Sequence, residues 1–457
     1  MSVDLVHRFD ADGPRYTSFP TADRFVETFT SAHYVQALKQ RRSGLVAGFL
    51  PLSLYVHIPF CRSLCYYCAC NKIITRQRSD STAYLRYLSC EVDLHTQYIG
   101  VGRSIGQMHL GGGSPTFFSD DELRELMALL RRSFRFAAGG EFSIEIDPRT
   151  VDADRIAALA QMGFNRLSFG VQDFDPAVQK AVHRVQPIER VFAVVAAARA
   201  CDFESVSVDL IYGLPRQSPD SFDRTVAQIK LLRPDRIALY RYAHLPDQFK
   251  SQRRMPIADL PSAEAKGLML SRSLLSLQEA GYIQVGVDLL ALPTDPLAVA
   301  KRQGRLHRNF QGYSAQLEGD VIGLGLSANG RIGSTYSQNA TSLTAYCDCL
   351  DQGQFPIVRG LTLARDDLIR RAVIMAIMCQ GQVLFESIDL AFLVDSRSYF
   401  SQELDALQEL IDQGIVSIDD SGIQVAKMDW PFLRAVSMVF DRYLQADRNR
   451  TQFSKML

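Results

Sequence analysis

The chain has 457 residues, and its 50 lysine and arginine residues are balanced by 50 aspartate and glutamate residues. This length predicts two or three domains with substantial cores, and the even charge gives no reason to expect nucleic acid or an anionic membrane as a partner. The N-terminal sequence lacks the apolar stretch of a secretory signal, and no window reaches the roughly 20 apolar residues that span a bilayer. We therefore expect a cytoplasmic protein without a membrane partner.

The predicted elements begin with an N-terminal arm at residues 1–35, which shows little periodicity. From about residue 52 to residue 330, short β-rich runs alternate with helical patterns, as in βα units around a parallel sheet. The predicted strands are 52–58, 105–110, 142–147, 166–172, 205–212 and 236–242. Helical spacing of apolar residues predicts helices at 121–134 and 152–162.

After Pro356 the pattern changes to predicted helices at 364–379 and 401–414, followed by a hairpin at 415–425. We predict an α/β fold with a partial (βα)6 TIM-like barrel at 36–360 and a small, mostly helical, winged-helix-like domain at 361–457. The absence of a basic excess favours a packing unit or lid over DNA binding for the second domain.

Ligands of such barrels gather at the carboxyl ends of the strands, so the residues there are candidate site residues. The first strand leads into the cysteines, and the second leads into the glycine run 111–113. Glu145 and Asp209 lie within apolar strands, where an unpaired carboxylate is costly. Either these two carboxylates bind a ligand or they form internal salt bridges.

Four of the nine cysteines lie between Cys61 and Cys70, a spacing that suits a metal site in a reducing compartment better than disulfides. Cys61, Cys65 and Cys68 can bind three irons of a 4Fe-4S cluster and leave the fourth iron open. Zinc, which prefers four ligands, and metal-free structural cysteines are the alternatives. Cys70 shares a crowded turn with Cys68, so we place it outside the cluster.

The cysteine loop resembles the radical S-adenosylmethionine (SAM) superfamily, and with its surroundings it resembles the oxygen-independent coproporphyrinogen III oxidases. The matching motifs are GPRYTSFPTA (13–22), YVHIPFCRSLCYYCACNKIITR (55–76), GGGSPT (111–116), SIEIDPR (143–149), GFNRLSFGVQDF (163–174), VDLIYGLPRQSPDSF (208–222), YAHLP (242–246), LHRNFQGY (306–313) and IGLGLSA (322–328). Cys70 followed by Asn71 and Lys72 is more specific to this family than the three-cysteine spacing alone.

The resemblance implies an oxidoreductase of haem and porphyrin biosynthesis. Such an enzyme uses 5'-deoxyadenosyl radicals from SAM to decarboxylate two propionates of coproporphyrinogen III oxidatively, which gives protoporphyrinogen IX. The implied cofactors are a 4Fe-4S cluster and two SAM molecules, and the implied partners are the tetrapyrrole and an electron donor such as a flavodoxin or ferredoxin. We further expect a monomer.

The same resemblance assigns residues, although no catalytic residue beyond the cofactor ligands is predicted. The expected SAM-binding residues are Tyr55, Tyr67, Gly112, Gly113, Ser114, Glu145, Gln172, Arg184, Asp209, Ala243 and Asn329. Cations are needed for the propionates, and the candidates within matched motifs are Arg15, Lys72, Arg76 and Arg308. Parts of this set have a purely structural alternative. The glycine run could be a simple turn, Tyr55 and Tyr67 could be core residues, and Arg184 could be an exposed helix arginine.

The chain departs from the family pattern at three places. Leu289, Leu290 and Leu292 stand where the family commonly has His-Phe and a further basic or apolar residue, and Asn329 replaces the usual isoleucine. Residues 428–430 replace a Gly-Arg stretch. These departures leave open a haem-binding chaperone or a radical SAM methylase that acts on another substrate. Cys70 and the N-terminal arm argue against the chaperone.

Overall fold

The computed structural model describes residues 13–44, 50–316, 318–426 and 432–446. The departure at 428–430 and the first twelve residues of the predicted arm lie outside the described residues.

A twelve-stranded mixed sheet carries the fold. In chain order its strands are β1 (Leu52–Ile58), β2 (Arg103–Gly112), β3 (Phe134–Ile146), β4 (Arg166–Gln172), β5 (Ser205–Tyr212), β6 (Arg236–Arg241), β7 (Ile283–Gly286), β8 (Leu289–Ala291), β9 (Val321–Leu324), β10 (Asn329–Ile332), β11 (Thr335–Asn339) and β12 (Ile357–Thr362). Their spatial order is β12-β11-β10-β9-β1-β2-β3-β4-β5-β6-β8-β7. The sheet is therefore open, with β12 and β7 at its edges.

Strands β1 to β6 are the six predicted strands, and all of them are confirmed as parallel neighbours. Strand β9 is a seventh parallel strand, which pairs with β1 in the register Leu54↔Ile322 and was not predicted. The remaining strands, β7 and β8 on one side and β10 to β12 on the other, are antiparallel. The predicted partial barrel is thus confirmed.

Helices connect and cover the strands of this part. They are α1 (Ser31–Ser43), α2 (Arg78–Ile99), α3 (Asp120–Ser133), α4 (Ala153–Gln161), α5 (Pro176–Ala181), α6 (Ile188–Ala200), α7 (Pro219–Leu232), α8 (Ala263–Glu279), α9 (Pro296–Arg302) and α10 (Leu343–Asp351). Helix α3 shows why a predicted helix begins where it does. The Ser119 hydroxyl accepts a hydrogen bond from the Glu122 amide, and the Glu122 carboxylate accepts one from the Ser119 amide at 2.8 Å.

The C-terminal part is mainly helical and contains a small three-stranded sheet. Its helices are α11 (Arg365–Gln380), α12 (Phe385–Phe392), α13 (Ser396–Tyr399), α14 (Ser401–Ala406), α15 (Gln408–Asp412), α16 (Leu433–Val439) and α17 (Arg442–Ala446), and its strands are β13 (Gln382–Leu384), β14 (Val416–Ile418) and β15 (Gly422–Val425). The pairing of β14 with β15 confirms the predicted hairpin. The helix predicted at 401–414 is broken at the buried Leu407, whose amide closes a tight turn on the Leu404 carbonyl at 3.2 Å.

The N-terminal arm packs against the C-terminal part. Tyr16 and Phe19 lie in the core formed by the C-terminal helices, and the Tyr16 hydroxyl donates to Asp441 at 3.0 Å. Further along the arm, the Val26 amide donates to the Gly360 carbonyl at 2.8 Å, and the Gly360 amide donates back at 3.1 Å. The arm is therefore held both by the C-terminal core and by the outer edge strand β12.

The predicted domain boundaries remain a proposal. The boundary at 35/36 falls inside α1, and the boundary at 360/361 falls inside β12. We propose to shift both cuts to the nearest loops, which keeps these elements whole. No helix among the described residues has the length and apolar character needed to cross a membrane.

Candidate active site

The cysteine loop begins where β1 ends. A short parallel pairing of Phe60–Cys61 with Ile73–Ile74 joins the two ends of the loop. The Thr75 amide also donates to the Cys61 carbonyl at 3.0 Å. The loop is thus closed by backbone hydrogen bonds on both sides of the cysteines, which fixes the position of their side chains relative to the sheet.

Cys61, Cys65 and Cys68 line one cavity of about 380 Å³ at the carboxyl ends of the parallel strands. Cys65 is buried, whereas Cys70, which lines the same cavity, is exposed. A hydrogen bond with the Cys70 thiol lowers the pKa of Cys68 to about 6, so these two sulfurs lie close together. Within the described residues, no three His, Cys, Asp or Glu side chains converge on a single-ion site. A cubane holds its three thiolates farther apart than one zinc ion does, so this donor set fits a 4Fe-4S cluster better than zinc.

Two arginines surround Cys65. The Arg184 Nη1 atom lies 3.6 Å from Sγ of Cys65, and the Arg149 Nη2 atom lies 3.7 Å from it. Asp147 accepts from both arginines, at 3.4 Å and 2.7 Å. Burial raises the pKa of Asp147, but the charges of Arg184 and Arg149 outweigh it and lower the pKa to about 2. The group carries one net positive charge beside a thiol that a cluster would require as thiolate.

The glycines at the end of β2 lie so close to neighbouring atoms that no larger residue would fit. A Cβ atom on Gly112, whose φ is +113°, would lie 2.6 Å from Cε1 of His57. A Cβ atom on Gly113 would lie 2.6 Å from the Pro59 carbonyl oxygen. The glycine run therefore lets β2 approach the backbone of the cysteine loop closely, as well as lining the cavity.

Glu145 has the internal partner that the sequence left open. Its carboxylate accepts from the Gly112 amide at 3.2 Å and lies 3.2 Å from Nε2 of His109. Burial raises the pKa of Glu145, but the hydrogen bonds with His109 and Gly112 and the His109 charge together bring it below the usual value. Glu145 is therefore ionised and oriented before any ligand binds.

Asp209 has weaker protein contacts. Its nearest hydrogen-bond partner is the Ser168 hydroxyl at 3.5 Å, and within the described part of the chain it forms no ion pair. Burial and the charge of Glu145 raise the pKa of Asp209 to about 7. Gln172 also faces the cavity, in the left-handed conformation at φ +67°, and its Oε1 atom is buried without a hydrogen-bond partner among the described residues. These unsatisfied acceptors fit a ligand that donates hydrogen bonds.

Most of the predicted cofactor residues come together in this cavity. Those that line it are Cys61, Cys65, Cys68, Tyr67, Gly112, Gly113, Ser114, Glu145, Gln172, Arg184 and Asp209. Tyr55, Ala243 and Asn329 do not line it. The Tyr55 hydroxyl lies 3.1 Å from Nδ1 of His57, and the Ala243 carbonyl accepts from Gln252 at 3.1 Å. The Asn329 amide oxygen is buried without a partner among the described residues.

A second cavity of about 400 Å³ adjoins the first, since Glu145, Ser168 and Asp209 line both. Arg15, Arg308 and the aromatic ring of Tyr240 are among its other lining residues. The shared side chains form a thin wall between the cysteine-lined cavity and a cation-containing one.

The predicted propionate cations differ in position. Arg308 donates to the carbonyls of Tyr16 and Arg15, at 3.1 Å and 3.0 Å, so it also holds the arm in place. Lys72 lines the first cavity and donates to the Cys68 carbonyl at 2.9 Å. Arg76 is exposed and lines neither cavity. Of the four predicted cations, only Arg15 and Arg308 line the second cavity, together with Arg166 and Arg236.

The C-terminal part contributes an ion pair to the second cavity. Arg434 of α16 donates to both carboxylate oxygens of Asp288, at 2.8 Å and 3.1 Å. Of the unusual leucines that follow Asp288, Leu289 lines the cavity, Leu290 lies in the main core and Leu292 packs against that core. Leu289 is therefore the departure in this stretch that touches the cavity.

The predicted site residues did not include Arg149 and His109, and Asp147 was noted only as a residue at the carboxyl end of the third predicted strand, without a role. A signal for Asp147 was present, because it lies two residues after Glu145 and so on the same side of the strand. His109 lies beside Glu145 on the neighbouring strand, in the register His109↔Ser143, which the sequence does not specify. Contacts of this kind depend on strand register.

This fold and site define a class of protein. A model of the radical SAM superfamily matches residues 55–229, and a model of the HemN C-terminal domain matches residues 363–431. The chain is a radical SAM enzyme, a class whose members use a 4Fe-4S cluster and SAM.

Full-length relatives give the family. The oxygen-independent coproporphyrinogen III oxidase of Pseudomonas aeruginosa is 45% identical over 457 residues, covering 100% of this chain and 98% of the relative. The enzyme of the same name from Synechocystis is 39% identical over 100% of this chain and 98% of its own length. The solved coproporphyrinogen III oxidase (HemN) from Escherichia coli superposes with a TM-score of 0.91 at 42% identity, covering 97% of this chain and 99% of that one. The chain belongs to the family of oxygen-independent coproporphyrinogen III oxidases.

Proposed function

We propose that this chain converts coproporphyrinogen III to protoporphyrinogen IX without oxygen, by oxidative decarboxylation of two propionate side chains. Each propionate loses carbon dioxide, one hydrogen atom and one further electron as it becomes a vinyl group. The observation that carries the proposal is the wall formed by Glu145, Ser168 and Asp209, which places a cysteine-lined cavity directly beside a cavity that contains arginines.

In the first cavity we assign Cys61, Cys65 and Cys68 as cluster ligands. The cluster and SAM, when bound, supply the one-electron chemistry that removes a hydrogen atom from a propionate. Arg184 and Arg149 place positive charge beside Cys65, where a cluster-bound thiolate would carry negative charge. The close backbone approach at Gly112 and Gly113 holds the cysteine loop near the sheet.

We assign the SAM contacts to the predicted residues of this cavity and its surroundings, including Tyr55, Ala243 and Asn329. Glu145 and Asp209 offer carboxylate acceptors, and Gln172 offers an unpaired amide oxygen. We further propose that two SAM molecules bind, one for each hydrogen atom removed. The presence of acceptors on both sides of the Glu145 and Asp209 wall supports this stoichiometry.

In the second cavity we assign Arg15 and Arg308 to substrate carboxylates. Arginine presents a planar fork of donors that matches a carboxylate. Burial raises the pKa of Asp288, but the charges of the nearby Arg434, Arg15 and Arg308 outweigh this effect and lower it. We propose that a propionate takes over part of this interaction on binding. Lys72 and Arg76 remain weaker candidates because they lie outside this cavity.

We also propose that the chain acts as a monomer and receives electrons from a flavodoxin or ferredoxin. The test of the function is an anaerobic assay of the reconstituted protein with SAM, a strong reductant and coproporphyrinogen III, with all products measured by mass. Protoporphyrinogen IX with methionine and 5'-deoxyadenosine is expected. S-adenosylhomocysteine with an unchanged number of carboxyl groups would indicate a methylase, and bound haem without SAM cleavage would indicate a chaperone.

A further inference from the structure

A cationic surface lies against the cysteine loop. It is formed by a short 3-10 helix, Lys250–Arg254, whose sequence KSQRR contains three cations in five residues. Lys250, Arg253 and Arg254 are exposed, and none of them lines either cavity. We call these three side chains the cationic cover.

The inward side of the same helix binds the cysteine loop directly. Gln252 is 1% exposed, and its side-chain amide donates to the Tyr67 carbonyl at 3.2 Å. The Ser251 hydroxyl donates to the Cys68 carbonyl at 3.4 Å. One turn of chain therefore separates solvent from the backbone that carries the proposed cluster ligands.

Tyr66, the residue after Cys65, links the loop to the cover. The Arg254 guanidinium lies 5.3 Å from the centre of the Tyr66 ring, and the His183 ring stacks on Tyr66 at 5.0 Å. The Nδ1 atom of His183 lies 2.8 Å from the Leu64 carbonyl oxygen. The cover is thus in contact with the cysteine loop through side chains as well as through backbone hydrogen bonds.

The positive charge of the cover is not neutralised locally. Within the part of the chain that the structure describes, Lys250, Arg253 and Arg254 form no ion pair. One exposed carboxylate, Asp247, lies in the preceding turn, and the nearby Asp259 is paired with Arg216 at 3.3 Å. A chain of zero net charge therefore presents a locally positive surface at this position.

We propose that the cationic cover is the docking surface for an acidic one-electron donor protein that carries a reduced flavin. The inference rests on the proposed function, because SAM cleavage requires one electron from outside the chain. The cavities are assigned to SAM and substrate, so the electron enters through the protein layer over the loop, and the cover is that layer. Complementary charge accelerates association with an acidic partner and makes it sensitive to salt.

The test compares two matched double variants of the reconstituted full chain. Lys250→Gln with Arg253→Gln removes two charges from the cover and leaves the Arg254 contact with Tyr66 intact. Arg132→Gln with Arg135→Gln removes two exposed charges near the start of β3, at the amino-terminal ends of the parallel strands and so at the opposite end from the cysteine loop. The probe is flavodoxin, a small acidic flavin protein, and the dissociation constant is measured by calorimetry at low and moderate salt.

The cover variant should bind flavodoxin about tenfold more weakly at low salt and lose most of its salt dependence, and the control variant should bind as the parent does. Bleaching of the cluster absorbance, followed without SAM or tetrapyrrole, should slow with reduced flavodoxin but not with reduced methyl viologen, which is a cation. Unchanged binding by the cover variant, or equal weakening in the control, would overturn the proposal. Because neither readout uses the tetrapyrrole, failure here is distinct from failure of the decarboxylase assignment.

Discussion

The Nη1 atom of Arg184 lies 3.6 Å from Sγ of Cys65. Arg184 is buried, and it also contacts Asp147 and donates to the Gly170 carbonyl at 2.7 Å. The sequence predicted this arginine as a SAM contact, and the structure shows that it already has partners in the protein. Its charge is therefore available to the cluster ligand as well as to a cofactor.

Arg184→Gln should weaken cluster retention. Charge-assisted hydrogen bonds contribute about 1.5–3 kcal/mol, so we expect roughly tenfold faster loss of the cluster in air. The measurement is bound iron and the decay of the visible absorbance. Arg190→Gln is the control, because among the described residues Arg190 donates only to the nearby carbonyls of Pro148 and Val151. Equal decay of the two variants would show that Arg184 does not support the cluster.

Cys61→Ala and Cys70→Ala should differ sharply. The first removes a proposed ligand and should abolish both the cluster spectrum and SAM cleavage. The second should retain at least most of the iron, because Cys70, although it lines the same cavity, is exposed and lies outside the proposed ligand set. Bound iron per chain and the electron paramagnetic resonance spectrum of the reduced protein distinguish the two. Loss of the cluster in Cys70→Ala alone would transfer the ligand role to Cys70.

SAM affinity should fall as the pH decreases through about 7, where burial places the pKa of Asp209. Below that pH Asp209 is protonated and becomes a poorer acceptor for a ligand. For a single linked proton, the dissociation constant for SAM should rise up to about tenfold between roughly pH 8 and pH 6. Asp209→Asn should bind SAM weakly and lose this dependence. Equilibrium binding across this pH range is the measurement, and a slope that persists in Asp209→Asn would assign it to another group.

Glu91 should make stability depend on pH. Its carboxyl is fully buried and accepts from the Gly325 amide, the Tyr346 hydroxyl and the Asn339 amide, each at 2.7 Å. Burial raises the pKa of Glu91 from 4.5 to about 7, despite these donors. The folded state therefore holds a proton that the unfolded state releases above about pH 5. Stability from this group is complete below that pH and is lost as the pH rises through about 7.

At about 1.4 kcal/mol for each pKa unit, the rise from 4.5 to about 7 corresponds to roughly 3.5 kcal/mol, so we expect the parent to lose up to about this much relative to Glu91→Gln over this range. Thermal unfolding at several pH values measures the difference. Glu125→Gln, an exposed glutamate on α3, is the control and should unfold in parallel with the parent. Parallel curves for parent and Glu91→Gln would contradict the prediction.

The sequence predicted the central strands well because each is a buried apolar run. Strands β1, β4 and β5 have the bounds that were predicted. Strand β9 was missed because four residues carry too little periodicity to distinguish a strand from a loop. The prediction of β3 began only at Phe142, whereas the strand begins at Phe134. The earlier part was missed because Ala137 to Gly140 have the small-residue composition of a turn.

In the candidate site, too, residues marked by a local sequence pattern were predicted, and contacts between distant parts of the chain were not. The cysteine spacing and the carboxylates in apolar strands were local signals, and they led to residues that line one cavity. The role of Arg308 in holding the arm was not local, since its partners Tyr16 and Arg15 are nearly 300 residues away in the chain. The position of Arg76 outside both cavities likewise depends on the path of the loop after Ile74.

The contact between Val26 and Gly360 has a consequence for association between copies of this chain. An edge strand exposes unpaired amides and carbonyls that can recruit a strand from another molecule. Val26 occupies these groups near the middle of β12 with two hydrogen bonds. A protein shortened to begin at Ser31 would leave the backbone groups of this edge unpaired. The arm therefore also reduces the tendency of β12 to pair with a strand of another copy and to aggregate.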